Sequence, residues 1–171
     1  MNIRPCNQSD FNAIHTIINS AAEKYHGTIP DTLWREPYMS EEYLKKELAS
    51  GVCFFGIEEE GELIAVMGVQ DKEDVVLIRH SYVLPSHQRK GLGSRLLSHH
   101  LETSTKPVLV GCLVAMDWAI AFYEKHGFSL VNQRLRDELR ALYWTYPDEH
   151  VKNSVVLADP RWWAQYERLS A

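Results

Sequence analysis

The sequence predicts a mixed α/β fold around a central sheet of about seven strands, and three observations carry that reading. Runs rich in β-branched and aromatic residues alternate with amphipathic helical patterns in the order β-α-α-β-β-β-α-β-α-β-β. Residues 108–114 are nearly all apolar, as a strand covered on both faces must be, which places that strand at the middle of the sheet. Hydrophobic residues make up 45% and charged residues 24% of the 171 positions, the balance of a soluble globular chain forming one domain over residues 1–171.

Residues 1–5 read as a short strand, and Ser9 or Asp10 caps the first helix. Phe11, Ile14, Ile17, Ile18, Ala21 and Tyr25 fall on one face of it at helical spacing, and Gly27 ends it. Residues 26–39 hold Gly27, Pro30 and Pro37 beside Tyr25, Trp34 and Tyr38, the pattern of an irregular loop with exposed aromatics. Ser40 caps a second helix, Glu41 and Glu42 suit the positive end of its dipole, and Gly51 stops it. Residues 52–57 and 63–70 are β-rich and joined by Glu58, Glu59, Glu60 and Gly61, a hairpin whose charge run is a solvated turn. After a polar turn at 71–74, residues 75–84 form the next strand, and Pro85 ends it.

Leu92, Leu96, Leu97, His100 and Leu101 make the inner stripe of a third helix. Past the central strand, Asp117 caps a fourth helix, Gly127 closes it, and residues 128–133 return as a strand. Leu135, Leu139, Leu142 and Tyr143 mark a short extra helix, residues 153–157 a last strand, and residues 160–169 a terminal helix. Its Trp162 and Trp163 cover a hydrophobic face or meet a second copy in a homodimer.

Several classes of function fall away on composition. No apolar run is long enough to span a bilayer, and the first ten residues hold no signal-peptide core, so a cytoplasmic protein with no membrane partner is expected. Cys6, Cys53 and Cys112 are odd in number and widely spaced, which reads as buried thiols rather than a disulfide, and no Cys/His cluster has the spacing of a metal site. A net charge of -5, with no basic tract longer than Arg89-Lys90, argues against nucleic acid as a partner.

The stretch that carries chemistry lies between the strand ending near Pro85 and the helix starting near Leu92. Gly91 and Gly93 let a pyrophosphate approach the unpaired N–H groups and positive dipole end of a helix N-terminus, while Gln88, Arg89 and Lys90 add donors and charge. On spacing alone, a plain tight turn fits as well. The dinucleotide fingerprint does not fit, because Leu96 stands where its third glycine belongs and no acidic strand end follows about 20 residues on. A P-loop does not fit either, since Lys90 precedes the glycines. Gln88-Arg89-Lys90-Gly91-Leu92-Gly93 resembles instead the Gln/Arg-x-x-Gly-x-Gly/Ala signature of the GCN5-related N-acetyltransferase (GNAT) superfamily. Downstream, Ala119-Ile120-Ala121-Phe122-Tyr123-Glu124-Lys125-His126-Gly127-Phe128 is similar to a second signature of that superfamily, in the right order. The resemblance is at motif level over residues 75–128 and in general layout over nearly the whole chain.

The resemblance implies a sheet splayed between strands 75–84 and 108–114 to admit acetyl-CoA, with no metal. It also implies transfer of acetyl to a primary amine of a small molecule or peptide, by direct attack in a ternary complex. The backbone of Ser81, Tyr82 and Val83 would pair with the pantetheine arm and polarise the acetyl oxygen, and Gln88, Arg89, Lys90, Gly91, Leu92, Gly93 and Ser94 would hold the pyrophosphate. Tyr123 matches the tyrosine that many members use as general acid, and packing against Phe122 and Phe128 is its plainer role. His80 is the candidate base, with ordered water, or a buried core histidine that takes no part, as alternatives. Met116 stands where the family has an asparagine that contacts the coenzyme, which puts that contact in doubt. Tyr25, His26, Asp31, Trp34 and Tyr38 lie where members build the acceptor pocket, and aromatics with an acid suit a cationic amine, or else anchor the loop. Transfer of another acyl group or to a protein N-terminus, and a non-catalytic acyl-CoA sensor, are the alternative functions.

Overall fold

The computed structural model describes residues 2–144, 150 and 152–170. Among them one sheet of seven strands runs in the order β1-β2-β3-β4-β5-β7-β6. β1 (Ile3–Pro5), β2 (Val52–Glu59), β3 (Glu62–Asp71) and β4 (Val76–Val83) are mutually antiparallel neighbours. β4 lies parallel to β5 (Val108–Leu113), which pairs antiparallel with β7 (Ser154–Ala158), and β6 (Ser129–Leu130) borders β7. The single parallel pair requires a crossover, which α3 (Leu92–Thr103) supplies.

Val66 and Met67, adjacent on β3, point to opposite faces of the sheet and so define its two cores. On the first face α1 (Phe11–Ala22) and α2 (Glu41–Ala49) bring Ile14, Ile17, Ile18 and Leu44 to Phe54 and Val66. On the second, α3 and α4 (Asp117–Lys125) bring Leu92, Leu96, Leu97 and Tyr123 to Met67, Ile78 and Val110. Leu96 and Leu97 are wholly buried, and each such side chain contributes about 1.5–3 kcal/mol. α5 (Gln133–Tyr143) and α6 (Pro160–Ser170) add Leu135, Leu139 and Trp162 over Leu77, Leu109 and Val156.

The ends of the elements differ from the sequence reading where a polar side chain takes charge of the turn. Asp10 holds the cap position of α1 as expected but makes no side-chain bond into it; the capping bonds lie one turn earlier, where the Asn7 side chain accepts from the Ser9 N–H at 2.8 Å and Asp10 accepts from the Asn7 N–H at 2.8 Å. Ser40 caps α2 as expected, accepting from the Tyr43 N–H at 3.1 Å. Asp117 is the first residue of α4 rather than its cap, and Met116 sits at the cap position with no side-chain bond. β6 is only two residues long because Asn132 caps α5, accepting from the Leu135 N–H at 3.0 Å and turning the chain out of the sheet. Cys53 is exposed, facing outward between the inward residues Val52 and Phe54. The aromatics of the 26–39 loop are more covered than expected, because Tyr25 and Tyr38 meet edge to face at 5.4 Å and Trp34 lies 5.8 Å from Tyr38.

One irregularity positions everything that follows. β4 and β5 pair only at Val76 with Val108, Leu77 with Leu109 and Ile78 with Val110. Directly beyond, Gly68 and Val69 of β3 face His80 and Ile78, leaving Arg79 as an extra residue in a bulge. A bulge bends its strand. Here β4 and β5 part, as the splayed sheet requires.

Candidate active site

A cavity of about 330 Å³ opens where the two strands part. Its lining starts at Ile78 and Val110, the last paired residues, and continues with Ser81 and Tyr82 of β4, Gly111 and Cys112 of β5, and Tyr123 of α4.

Tyr123 is 5% exposed, its ring edge to face with Phe122 at 5.0 Å and Phe128 at 5.6 Å. Burial raises its phenol well above the ordinary tyrosine range, with the nearby Cys112 adding to the rise and a hydrogen bond with the Ser81 side chain working against it. The phenol is therefore a protonated donor at neutral pH. Burial likewise pushes the Cys112 thiol up to about 12, against the pull of Arg140. A thiol so held is a poor nucleophile, so it is unsuited to carry an acetyl group between two half-reactions.

His80 is 8% exposed and stacks on Phe54 at 5.9 Å. Its Nε2 lies 2.7 Å from Oε2 of Glu47, which comes from the inner face of α2, while Nη2 of Arg79 donates to both Glu47 oxygens at 2.9 Å. Burial opposes ionisation of Glu47, but the bonds from His80 and Arg79 outweigh it and hold the carboxyl below its ordinary range. Both Arg79 and His80 reach Glu47 because the bulge turns two successive side chains to one face of the sheet.

Of the residues expected at the acceptor, Tyr25 and Tyr38 line the cavity. His26 and Asp31 are exposed, and Trp34 packs on His26 at 4.9 Å, all three outside the lining. Met116 joins Tyr25, Ile29 and Leu33 in an apolar cluster beneath them.

The glycine loop follows β4. Gln88 Nε2 donates to the Val83 carbonyl at 3.1 Å and ties the loop to the strand end. Arg89 and Gly91 have φ of 63° and 78°, and Gly91 takes the cap position of α3 with no side chain to fill it. The first helical bond of α3 runs from the Arg95 N–H to the Gly91 carbonyl at 3.0 Å, so the N–H groups of Leu92, Gly93 and Ser94 lie ahead of the ladder. Arg89 and Lys90 are exposed beside them.

The sequence model of the acetyltransferase (GNAT) family matches residues 12–128. The chain belongs to that family. It is accordingly an acetyl-CoA-dependent acetyltransferase. Solved GNAT structures share its fold. It is similar to the ribosomal-protein-S18-alanine N-acetyltransferase from Escherichia coli, with 21% identity over 94% of this chain and 93% of that one and a TM-score of 0.67. PaiA N-acetyltransferase from Thermoplasma acidophilum, solved with coenzyme A, gives 17% identity, coverage of 92% and 97%, and a TM-score of 0.70. A GNAT acetyltransferase from Staphylococcus aureus gives 16% identity, coverage of 92% and 97%, and a TM-score of 0.68. No protein of curated function matches the chain in sequence.

The features of this GNAT chain fit acetyl-CoA: strands that part, a loop that bares N–H groups, and two exposed basic side chains next to them. Among the described residues, no group of three or more His, Cys, Asp or Glu is placed to hold a metal ion, and no helix is long and apolar enough to cross a membrane. Sequence reasoning missed Glu47, Arg79 and Arg140. Glu47 had a signal, since it lies one helical turn from Leu44 on the buried face of an otherwise polar helix. So did Arg79, because two adjacent polar residues in an apolar strand mark a bulge.

Proposed function

We propose that the protein transfers acetyl from acetyl-CoA to a primary amine by direct attack, with Tyr123 as general acid and His80 as general base. The observation that carries this is that both side chains line one cavity, at the point where the sheet opens. The ionised Glu47 accepts from the Nε2–H of His80, which leaves the lone pair on Nδ1. His80 removes a proton from the attacking ammonium, and the neutral nitrogen forms its bond to the acetyl carbon. Backbone N–H groups at Ser81, Tyr82 and Val83 hold the pantetheine arm and the carbonyl oxygen. As the carbon–sulfur bond breaks, Tyr123 gives its proton to the departing sulfur. The nitrogen releases to solvent the second proton it must lose to become an amide, and solvent then reprotonates the Tyr123 phenolate and takes the proton held on His80. The loop Gln88, Arg89, Lys90, Gly91, Leu92, Gly93 and Ser94 binds the pyrophosphate.

The test is Tyr123→Phe. Lost turnover with unchanged acetyl-CoA affinity supports the assignment. Unchanged turnover removes Tyr123 from the mechanism. Acetyl-CoA binding with no thiol release from the native chain on any amine would favour an acyl-CoA sensor instead.

A further inference from the structure

We infer that the acceptor carries its amine on an apolar body, an alkyl or aryl chain, held against Tyr25, Tyr38 and Tyr82. The inference rests on the acetyl-transfer reading above and names its substrate class. It starts from a file of rings that leads away from the candidate base. His80 stacks on Tyr82 at 6.5 Å, Tyr82 lies 6.3 Å from Tyr25, and Tyr25 meets Tyr38 edge to face at 5.4 Å. All four residues line the cavity. Leu113 of β5, and Met116 and Ala119 at the start of α4, pack into the same cluster as the tyrosines and line the cavity with them.

These walls offer ring and aliphatic surface. The Tyr82 hydroxyl is hydrogen-bonded with those of Tyr25 and Tyr38, and burial raises Tyr82 and Tyr25 well above the ordinary tyrosine range, so the phenols are neutral and engaged with one another. The cations of the described lining are turned to solvent or held by the protein. Arg35 and Lys46 are exposed, Arg79 bonds to Glu47 at 2.9 Å, and Arg140 bonds to the Val155 carbonyl at 3.4 Å. Asp31, the acid that would have received a second cation on the acceptor, is exposed and outside the lining. An apolar body leaves water at a gain when it lies on such rings, and a charged or strongly hydrated one does not. The same loss of water disfavours the ammonium and leaves more of the amine in its neutral, nucleophilic form beside His80.

The experiment measures thiol release from acetyl-CoA with ethylamine, butylamine, hexylamine and hexamethylenediamine. The kcat/KM should climb about fourfold per methylene from ethylamine to hexylamine. It should drop about tenfold or more from hexylamine to hexamethylenediamine, which differs by a second ammonium at the far end. In Tyr38→Ala and in Met116→Gln the ratio of hexylamine to ethylamine should fall about tenfold or more. Each ratio is taken within one preparation, so a partly unfolded variant does not distort it. A series that does not climb, hexamethylenediamine at or above hexylamine, or a ratio that survives both variants would overturn the inference. If no amine is acetylated, the acetyl-transfer reading fails separately. The apolar site is then read by thermal shift with N-hexylacetamide against N-ethylacetamide, each with coenzyme A. Stabilisation by the first alone, lost in Tyr38→Ala, supports the site, and equal shifts refute it.

Discussion

Nε2 of His80 lies 2.7 Å from Oε2 of Glu47, so an acid from the second helix orients the candidate base on β4. A carboxylate in that position fixes the imidazole tautomer and stabilises the imidazolium that forms when a proton is taken up. Replacing Glu47 with Gln should lower kcat roughly 100-fold while leaving KM for acetyl-CoA unchanged, because the glycine loop proposed to bind it is untouched. The variant also removes the carboxylate charge that Arg79 bonds to at 2.9 Å and should lose about 3 kcal/mol of stability. Steady-state kinetics at a temperature where the variant is folded separates the two effects. A kcat within a factor of two of native would remove Glu47 from the mechanism.

The two glycines of the loop have different reasons for being there. Gly91 has φ of 78°, which a side chain tolerates poorly, whereas a Cβ on Gly93 would meet the Phe122 ring at 3.6 Å, an ordinary contact. Gly91→Ala should therefore cost about 1 kcal/mol of stability. Gly93→Ala should leave stability within about 0.5 kcal/mol. Both should weaken acetyl-CoA binding if the proposed loop is its site, since each sets a methyl group beside the N–H groups that lie ahead of the α3 ladder. Denaturant melts with equilibrium titration of acetyl-CoA check this. Full affinity in both variants would place the pyrophosphate elsewhere.

The element order was legible because it rests on local periodicity. Ile14, Ile17 and Ile18, or Leu92, Leu96 and Leu97, declare their buried faces whatever the rest of the chain does. The glycine loop was legible because Gly91 answers to a local backbone demand. Glu47, Arg79 and Arg140 were not, since their meaning comes from contacts made across the fold. Arg79 and His80 reach a helix more than 30 residues away, and they do so together only because the bulge breaks strand alternation. Simple alternation would have set His80 on the same face as Ile78, which in fact packs in the opposite core. Within the loop of residues 26–39 and the residue before it, Tyr25 and Tyr38 line the cavity, but nothing in composition says that Arg35 rather than Asp31 does so too.

Asp10 carries a pH-dependent part of the stability. Arg4 donates to its two carboxylate oxygens at 2.8 and 2.9 Å, and that pairing holds the carboxyl down to about 2. A depressed native value means that the unfolded chain binds the proton first as pH falls. The stabilisation is thus complete above the ordinary value near 4 and is lost as pH drops toward 2. Because Arg4 is partly exposed, the expected contribution is about 1–2 kcal/mol rather than the full shift. Asp10→Asn should be less stable than native by that amount at pH 7 and equal to it near pH 2. A gap that does not narrow on acidification would assign the effect to packing.

His100 acts in the opposite sense. It is 6% exposed on the inner face of α3, edge to face with Phe55 at 4.7 Å, and its Nε2 has no hydrogen-bond partner among the described residues. Burial lowers its value to about 4, and the neighbouring His99 adds to the effect. Between the ordinary 6.5 and 4 the unfolded chain binds a proton that the native state refuses, so stability falls as pH falls through that window and is unaffected above it. One proton corresponds to about 1.4 kcal/mol per pH unit, or about 3 kcal/mol across the window. His100→Leu removes the titrating group and the unpaired nitrogen, so it should melt at a higher temperature than native at pH 5 and lose less stability between pH 7 and pH 4.5. Calorimetry at these pH values decides it: parallel declines in the two proteins would mean that the acid sensitivity of the fold lies elsewhere.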